Sequence, residues 1–505
     1  MCLYFRNLGI MKNSSISAED ARRAARNAGA IAAASILSKG ALFFWQLVLA
    51  RAIGEADYGI YGTVGAFIAV GTAIVNFGMG PIVIRDVARE PKLAGKYLTA
   101  TLVMQTLLAL LAYGLVNGAA ALGGYSSAIQ SLLMLAAISL VVDILGNMTN
   151  DILLAQERML ASSVVSVGHI ILLIVLAGAA VWAGYGLPGV YVATIIAGVG
   201  RALALWGLVL RGGVRPQLPF DRVIALPLLL NGAPLAISAF LSLAYQHADK
   251  LITTRFIGET ETGYLTAAFV IIFGVIELLN TTILIATYPM MSRYQGEAFG
   301  FIVEKLAFFT LLAGVPLALV LSIFAVQITV PLFGANFLPT AGVLRILIWY
   351  AVAAMTTNIF AQALVVENRQ RALLIIRATG LTLNIVLDVL LIARIGIVGA
   401  ALASFAAEIF VLAVVVSRFQ RLEWARIAPR LLRLLAVGAF VGTVMLLLGR
   451  VHPLVGITVG GLLYIMGVAR VLEADDWDLL YRLAAAMPGG GFIRRYWQRD
   501  VTINW

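Results

Sequence analysis

The chain has 505 residues, 61% of them apolar and only 12% charged. A soluble domain is about 45–50% apolar and about 25% charged, so this surplus excludes a water-soluble enzyme, a secreted domain and a disordered chain, and makes lipid the solvent. The formal charge of +11 sits in short spacers between apolar runs, which points to the anionic cytoplasmic leaflet rather than to nucleic acid.

In chain order, residues 17–26 (SAEDARRAAR) are polar and open a helix that leads into the first span, with Ser17 as its cap; they do not read as a cleaved signal peptide. A spanning helix needs about 20 mostly apolar residues. The runs that qualify are 27–50, 59–81, 97–117, 127–147, 161–183, 188–209, 229–254, 263–287, 306–330, 341–364, 372–393, 396–416, 431–449 and 453–472, fourteen in all. Each is apolar nearly all round, as a helix in lipid must be, whereas β-barrel spans alternate over about 10 residues. The predicted fold is therefore an all-α integral membrane protein of 14 transmembrane helices. The tail 473–505 carries WDLLYRL and then the breaker PGGG, and reads as an interfacial helix and a loose cytoplasmic end.

Orientation follows from the basic residues. With the N-terminus in the cytoplasm, 27 Lys and Arg fall in inner segments and 5 in outer ones, which puts both termini inside. The inner set includes Arg85, Arg89, Lys92 and Lys96 after the second span, and Arg418, Arg421, Arg426, Arg430 and Arg433 before the thirteenth.

The nonapeptide RAIGEADYG at 51–59 returns as RFIGETETG at 255–263, and GLPGVYVA at 186–193 is echoed by GIVGAALA at 396–403. Chance gives roughly one identity in nine positions, so the chain contains a repeat of about 200 residues. The domain reading is an N-terminal helix (1–26), a six-helix bundle (27–209), a basic cytoplasmic linker (210–228), a second six-helix bundle (229–416), two further helices (431–472) and the tail (473–505). Six is even, so the two bundles are parallel repeats, an arrangement suited to alternating access around a central cleft.

Several ionisable residues fall inside the spans: Lys39, Asp143, Arg201, Glu277, Arg377, Asp388 and Glu408, with Asp249 and Lys250 in the outer third of the seventh. A charge at mid-bilayer costs about 2.5–3.5 kcal/mol, so seven facing lipid would cost roughly 20 kcal/mol. They are expected to face protein or a wet cavity. Asp143 and Arg377 lie nearer helix ends and could instead snorkel. Arg201 could bind a helix-end carbonyl or an acid on a neighbour. Lys39, Glu277 and Glu408 are deepest, and either line a cavity or form buried structural pairs.

The exclusions are as informative. One cysteine, Cys2, rules out a disulfide framework, and His169, His247 and His452 leave no metal spacing, so no metal or cofactor is expected. Gly95-Lys96 is followed by Tyr97, so there is no P-loop. No outer loop is long enough to house the catalytic groups of a membrane glycosyltransferase or polymerase, so the chain is not read as an enzyme.

LARAIGEADYGIYGTVGAF (49–67), GMGPIVIRDVAR (78–89), QHADKLITTRFIGETETGYLTAAF (246–269) and GIVGAALAS (396–404) together resemble the polysaccharide-type flippases of the multidrug/oligosaccharidyl-lipid/polysaccharide exporter superfamily. The resemblance covers about residues 27–472 and is stronger for architecture than for substrate. It implies that the protein moves a polyprenyl-(di)phosphate-linked oligosaccharide across the cytoplasmic membrane for surface polysaccharide or glycan synthesis, the headgroup passing through the cleft. An anionic diphosphate would favour cationic cleft residues, for which Lys39, Arg85, Lys250 and Arg377 are the candidates. Related lipid II flippases carry a basic residue midway along the first helix, where Lys39 falls; their nearby acid is replaced here by Gln46. Arg85 could equally be a positive-inside anchor. Asp249, Glu277, Asp388 and Glu408 are candidates for binding a coupling H⁺ or Na⁺. The expected partners are the lipid-linked substrate, membrane lipids, such a coupling ion and a polysaccharide polymerase or glycosyltransferase. The competing reading within the same superfamily is a cation-coupled multidrug antiporter, whose cleft would be dominated by acids.

Overall fold

The computed structural model describes residues 18–291 and 296–477, without the side chains of 18–33, 278–290 and 297. The predicted cap Ser17 and the WDLLYRL and PGGG segments from residue 478 onward lie outside the described residues. The described chain is helical, with no strand. Its helices are α1 (Ala18–Asn76), α2 (Met79–Arg89), α3 (Ala94–Leu122), α4 (Ser127–Ala136), α5 (Ile138–Ala155), α6 (Met159–Trp182), α7 (Gly186–Arg211) and α8 (Arg222–Ile257). They continue as α9 (Glu259–Met291), α10 (Gly296–Ile323), α11 (Ala325–Phe333), α12 (Thr340–Val366), α13 (Gln370–Ile395), α14 (Ile397–Arg418), α15 (Trp424–Gly449) and α16 (Pro453–Ala469).

Twelve apolar segments among the described residues are long enough to cross a membrane. The first, Ala34–Arg89, holds both the first and the second predicted spans, and the fourteenth is the shorter apolar helix Pro453–Ala469. Thirteen of the fourteen predicted spans of this multi-pass membrane protein therefore lie in segments long enough to cross, and the fourteenth coincides with the shorter helix. Their ends differ in places. The fourth runs on to Ala155, because Ile152, Leu153 and Leu154 resume the apolar run beyond Asn150 and Asp151. The first two spans are separate helices, as predicted: α1 is two helical pieces that meet at a kink at Gly54, where the backbone is not helical.

That bend is where the repeat becomes visible in the backbone. Gly54 has φ 82° and ψ 174°, and its counterpart Gly258, between α8 and α9, has φ 101° and ψ 179°. A side chain at either position would be strained, which is why RAIG and RFIG both carry glycine. A second pair is less expected: Glu157 and Asn368, in AQERM and VENRQ, both adopt φ 59°. Each precedes an arginine that ties down a helix end. Arg158 Nη1 donates to the Leu208 carbonyl at 3.0 Å, and Arg369 Nη1 to the Arg418 carbonyl at 2.7 Å.

The described chain packs as two compact units. Of the described residues, the first comprises 18–274, Thr329–Val343 and Arg377–Ala407; the second comprises 275–291, 296–328, Leu344–Ile376 and 408–477. The first has a core running from Val64 through Leu133, Ile144 and Ile152 to Leu228. The second has one core around Phe299, Phe360 and Phe419 and another around Phe324, Met445 and Tyr464. Outward faces are apolar as well: α6 exposes Leu160, Val164, Ile171 and Val175, the face a helix presents to acyl chains.

In the first unit the basic linker is held in place. Gln217 N–H donates to the Gly95 carbonyl at 3.2 Å, and Lys96 Nζ meets Asp221 Oδ2 at 3.2 Å. Asp221 also caps α8 through the Val223 N–H at 3.0 Å. These contacts, chiefly that with Lys96, hold its carboxyl below the usual carboxylate range.

Candidate functional site

Within the first unit, the two glycine-bearing motifs pack against each other. A methyl group on Gly59 would collide with the Glu259 carbonyl, and one on Gly263 would collide with the Glu55 carbonyl. The two contacts are repeat mates of each other, so the helices meet about a local two-fold axis. Gly62 lies against Thr266, its own counterpart, at the axis. Around it, Thr63 and Thr254 hydroxyls sit 2.6 Å apart, and Thr254 and Thr262 hydroxyls 2.8 Å apart. This buried hydroxyl chain crosses from one repeat to the other.

Two arginines extend the reciprocity. Arg51 Nε donates to the Leu332 carbonyl at 2.9 Å, and its Nη2 donates to the Pro331 carbonyl. Its counterpart Arg255 lies beside Gly124 of the other repeat, with the closest guanidinium atom 3.5 Å from where a Gly124 Cβ would stand. Tyr125 Oη closes the same corner on the Leu251 carbonyl at 3.1 Å.

A second centre lies at the end of α8. Asp249, Lys250, Asn384, Asp388 and Ser404 are all buried. Ser404 Oγ donates to Asp249 Oδ2, and Asp388 is a direct electrostatic neighbour of Asp249. Lys250 Nζ stands 5.6 Å from the centre of the Phe269 ring. Among the described residues, Asp249 Oδ1, both Asp388 oxygens and both Asn384 amide atoms lack a hydrogen-bond partner. Two adjacent buried carboxylates with orphaned oxygens require a proton or a cation between them. Asp249, Asp388, Asn384 and Ser404 supply only hard oxygen ligands, which suits a hard monovalent or divalent cation rather than a transition metal.

The structure thus brings together three of the predicted residues, Asp249, Lys250 and Asp388. Arg377 stands in the same unit, where its Nη1 donates to Ser242 Oγ at 3.3 Å. Arg85 is exposed on α2 and donates to Asp86 at 2.7 Å, which also accepts from Tyr97 Oη at 3.1 Å. Lys39 is exposed on α1. Glu277, partly buried, and Glu408, buried, belong to the second unit. Asp143 lies in the first turns of α5, twelve residues before its end at Ala155, and its Oδ1 lies 3.9 Å from Arg201 Nη1. Arg201 Nη2 donates to Asn147 Oδ1 at 2.8 Å, so a neighbour's amide is the hydrogen-bond partner of Arg201 and the Asp143 carboxylate only an ion-pair neighbour. Asn384 and Ser404 are new. Asn384 lies one helical turn before Asp388, and Ser404 ends the motif GIVGAALAS; both are neutral, so a search for charges passes over them.

The first repeat has no equivalent carboxylate pair. Trp45 and Gln46 replace Asp249 and Lys250. Trp45 is buried against Ala177 and Gly178, the positions corresponding to Asp388. Gln46 accepts from Tyr58 Oη at 2.9 Å and donates to Tyr61 Oη at 3.2 Å. An aromatic plug therefore stands where the second repeat has its charged centre.

Residues 24–295 match the family model described as polysaccharide biosynthesis protein. No curated protein matches. Among solved structures, the lipid II flippase MurJ in an inward closed conformation is similar with a TM-score of 0.72 at 14% identity, over 87% of this chain and 98% of that one. An inward-facing multidrug resistance MATE transporter of the MOP superfamily is similar with a TM-score of 0.60 at 16% identity, over 76% and 94%. A MOP superfamily transporter from Pyrococcus furiosus, described as having a binding pocket of reversed polarity, gives 0.52 at 16% identity, over 77% and 95%. The fold is that of these transporters, and the chain belongs to the polysaccharide biosynthesis protein family.

Proposed function

We propose that the protein flips a polyprenyl-(di)phosphate-linked oligosaccharide across the cytoplasmic membrane by alternating access, for surface polysaccharide or glycan synthesis. The observation that carries this over the antiporter reading is the extent of the match. The multidrug transporters fill 93–95% of their own length with only 76–78% of this chain. The lipid II flippase fills 98% of its length with 87%. The family match over 24–295 supports the same direction.

In this reading the reciprocal contact around Gly59 and Gly263 is the outer seal, since the basic residues put residues 51–59 and 255–263 on the extracytoplasmic side. Lys39, Arg85, Lys250 and Arg377 are the cations offered to the diphosphate. Asp249, Asp388, Asn384 and Ser404 hold a coupling H⁺ or Na⁺, and Glu277 and Glu408 remain secondary candidates. Both termini are cytoplasmic, and a glycan polymerase or glycosyltransferase handles the substrate before or after it crosses.

Deletion of the gene in its host tests this. The expected result is lipid-linked glycan held at the cytoplasmic face, with surface glycan restored by the wild-type gene. Normal surface glycan with hypersensitivity to cationic dyes would replace the flippase by the antiporter.

A further inference from the structure

In the second unit, α10, α15 and the short segment after α16 share a knot of charges. Asp476 is fully buried. One of its oxygens meets Lys305 Nζ at 2.5 Å and the other accepts from Arg430 Nη2. Glu473 lies 3.2 Å from Arg430 and 3.8 Å from Lys305. Glu304 accepts from Arg426 at 2.6 Å and lies 3.8 Å from Arg430. The side chains of Lys305 and Arg430 are only 2% and 4% exposed.

Lys305, Arg426 and Arg430 face Glu304, Glu473 and Asp476, with Glu423 at the outer side of Arg426, and these groups differ in origin. The three cations and Glu304 stand on α10 and α15. Glu473 and Asp476 arrive on a strap that follows α16, where a helix begins at residue 474 and Glu473 N–H donates to Asp476 Oδ2 at 2.9 Å. Without the strap Lys305, Arg426 and Arg430 would be left with Glu304 and with Glu423, which reaches only the half-exposed Arg426 at 3.7 Å, so the two buried cations would share Glu304. Buried cations left so would be strongly destabilising, so the position must hold an anion at all times.

Two further observations say which anion. The strap does not satisfy the site: Arg426 Nε and Arg430 Nε are buried and lack a hydrogen-bond partner among the described residues. A cavity of about 310 Å³ also opens on the knot. Glu304 and Arg430 form its polar edge, and Phe308, Phe360, Leu412 and Trp424 line the rest. Cations with spare donors beside an apolar pocket within membrane-spanning helices fit an anion that carries a hydrocarbon chain. A phosphate offers more acceptors than a carboxylate and pairs well with guanidinium.

We propose that Lys305, Arg426 and Arg430 form a site for the phosphate of an anionic membrane phospholipid, its chain in the adjoining cavity, and that Glu473 and Asp476 are a built-in stand-in that competes for it. The site is independent of the transported substrate. It would make the strap responsive to the lipid composition of the membrane.

The test uses the purified full-length protein in detergent, with retained lipid counted by native mass spectrometry. Phosphatidylglycerol, phosphatidylcholine and inorganic phosphate are offered separately. Asp476→Asn should raise phosphatidylglycerol retention about tenfold, equivalent to about 1.4 kcal/mol, and leave phosphatidylcholine unchanged. Glu473→Gln, at a half-exposed position, should shift retention the same way by less, and serves if Asp476→Asn does not fold. Lys305→Gln should lower retention. Equal phosphatidylglycerol retention in wild type, Glu473→Gln and Lys305→Gln would overturn the site. Inorganic phosphate that competes as well as the lipid would overturn the role of the cavity.

Discussion

Gly59 lies against the backbone carbonyl of Glu259 with no room for a β-carbon, and the mate of that contact sets Gly263 against Glu55. Glycine is required here by proximity, not by conformation: both residues lie within helix, unlike Gly54 and Gly258. Overpacking such a contact costs about 1–3 kcal/mol. Gly59→Ala and Gly263→Ala are therefore expected to loosen the seal, and by similar amounts because the contacts are symmetry mates. A cysteine placed at Glu55, in a Cys2→Ser background, should react faster with an impermeant thiol reagent in both variants. A large effect from one glycine and none from the other would remove the two-fold description.

Asp249→Asn and Asp388→Asn preserve volume and hydrogen-bonding capacity while removing one charge each. Each is expected to lower glycan export at least tenfold without loss of membrane insertion, a size consistent with about 1.5–3 kcal/mol for a hydrogen bond to a charged group. Ser404→Ala removes one donor to Asp249 and should cost less. Export that stays normal in both Asn variants, scored by surface-glycan labelling, would take the cation centre out of the mechanism.

Asp221 gives the linker a pH dependence of defined sign. Its carboxyl is held low by Lys96 and by the Val223 N–H, so it stabilises the fold while ionised. That contribution is full above the ordinary carboxylate range and fades as pH falls through the lowered folded value. The melting temperatures of wild type and Asp221→Asn should differ at pH 7 and converge near pH 3. A gap that widens on acidification would mean the sign is wrong.

The fourteen spans were legible because lipid leaves one signature, about twenty apolar residues without a break. The repeat was legible at 51–59 and 255–263 because the kink and the close approach both admit only glycine. AQERM and VENRQ escaped notice, since only Arg158 and Arg369 coincide and the shared φ of Glu157 and Asn368 has no residue signature. Asp249 and Asp388 stood out as charges in lipid, whereas their neutral partners Asn384 and Ser404 did not. Asp476 looked like one acid among several in a polar tail; its burial depends on Lys305 and Arg430, far away in sequence.

The last prediction concerns number. If the carboxylate centre is the coupling site, its stoichiometry is set by what the first repeat has in its place. There Trp45 covers Ala177 and Gly178, and Gln46 is spent on Tyr58 and Tyr61. A buried tryptophan leaves no room for a hydrated or protein-bound ion, and no carboxylate stands at these positions to hold one. One cation per chain is therefore expected, not two, despite the duplicated architecture. Cation binding to purified protein, followed by calorimetry with Na⁺ at fixed pH and by proton release on titration, should saturate at one equivalent. That equivalent should vanish in Asp388→Asn and persist in Gln46→Leu. A second equivalent surviving Asp388→Asn would place an ion site outside this centre and end the argument that the tryptophan plug makes the repeats functionally unequal.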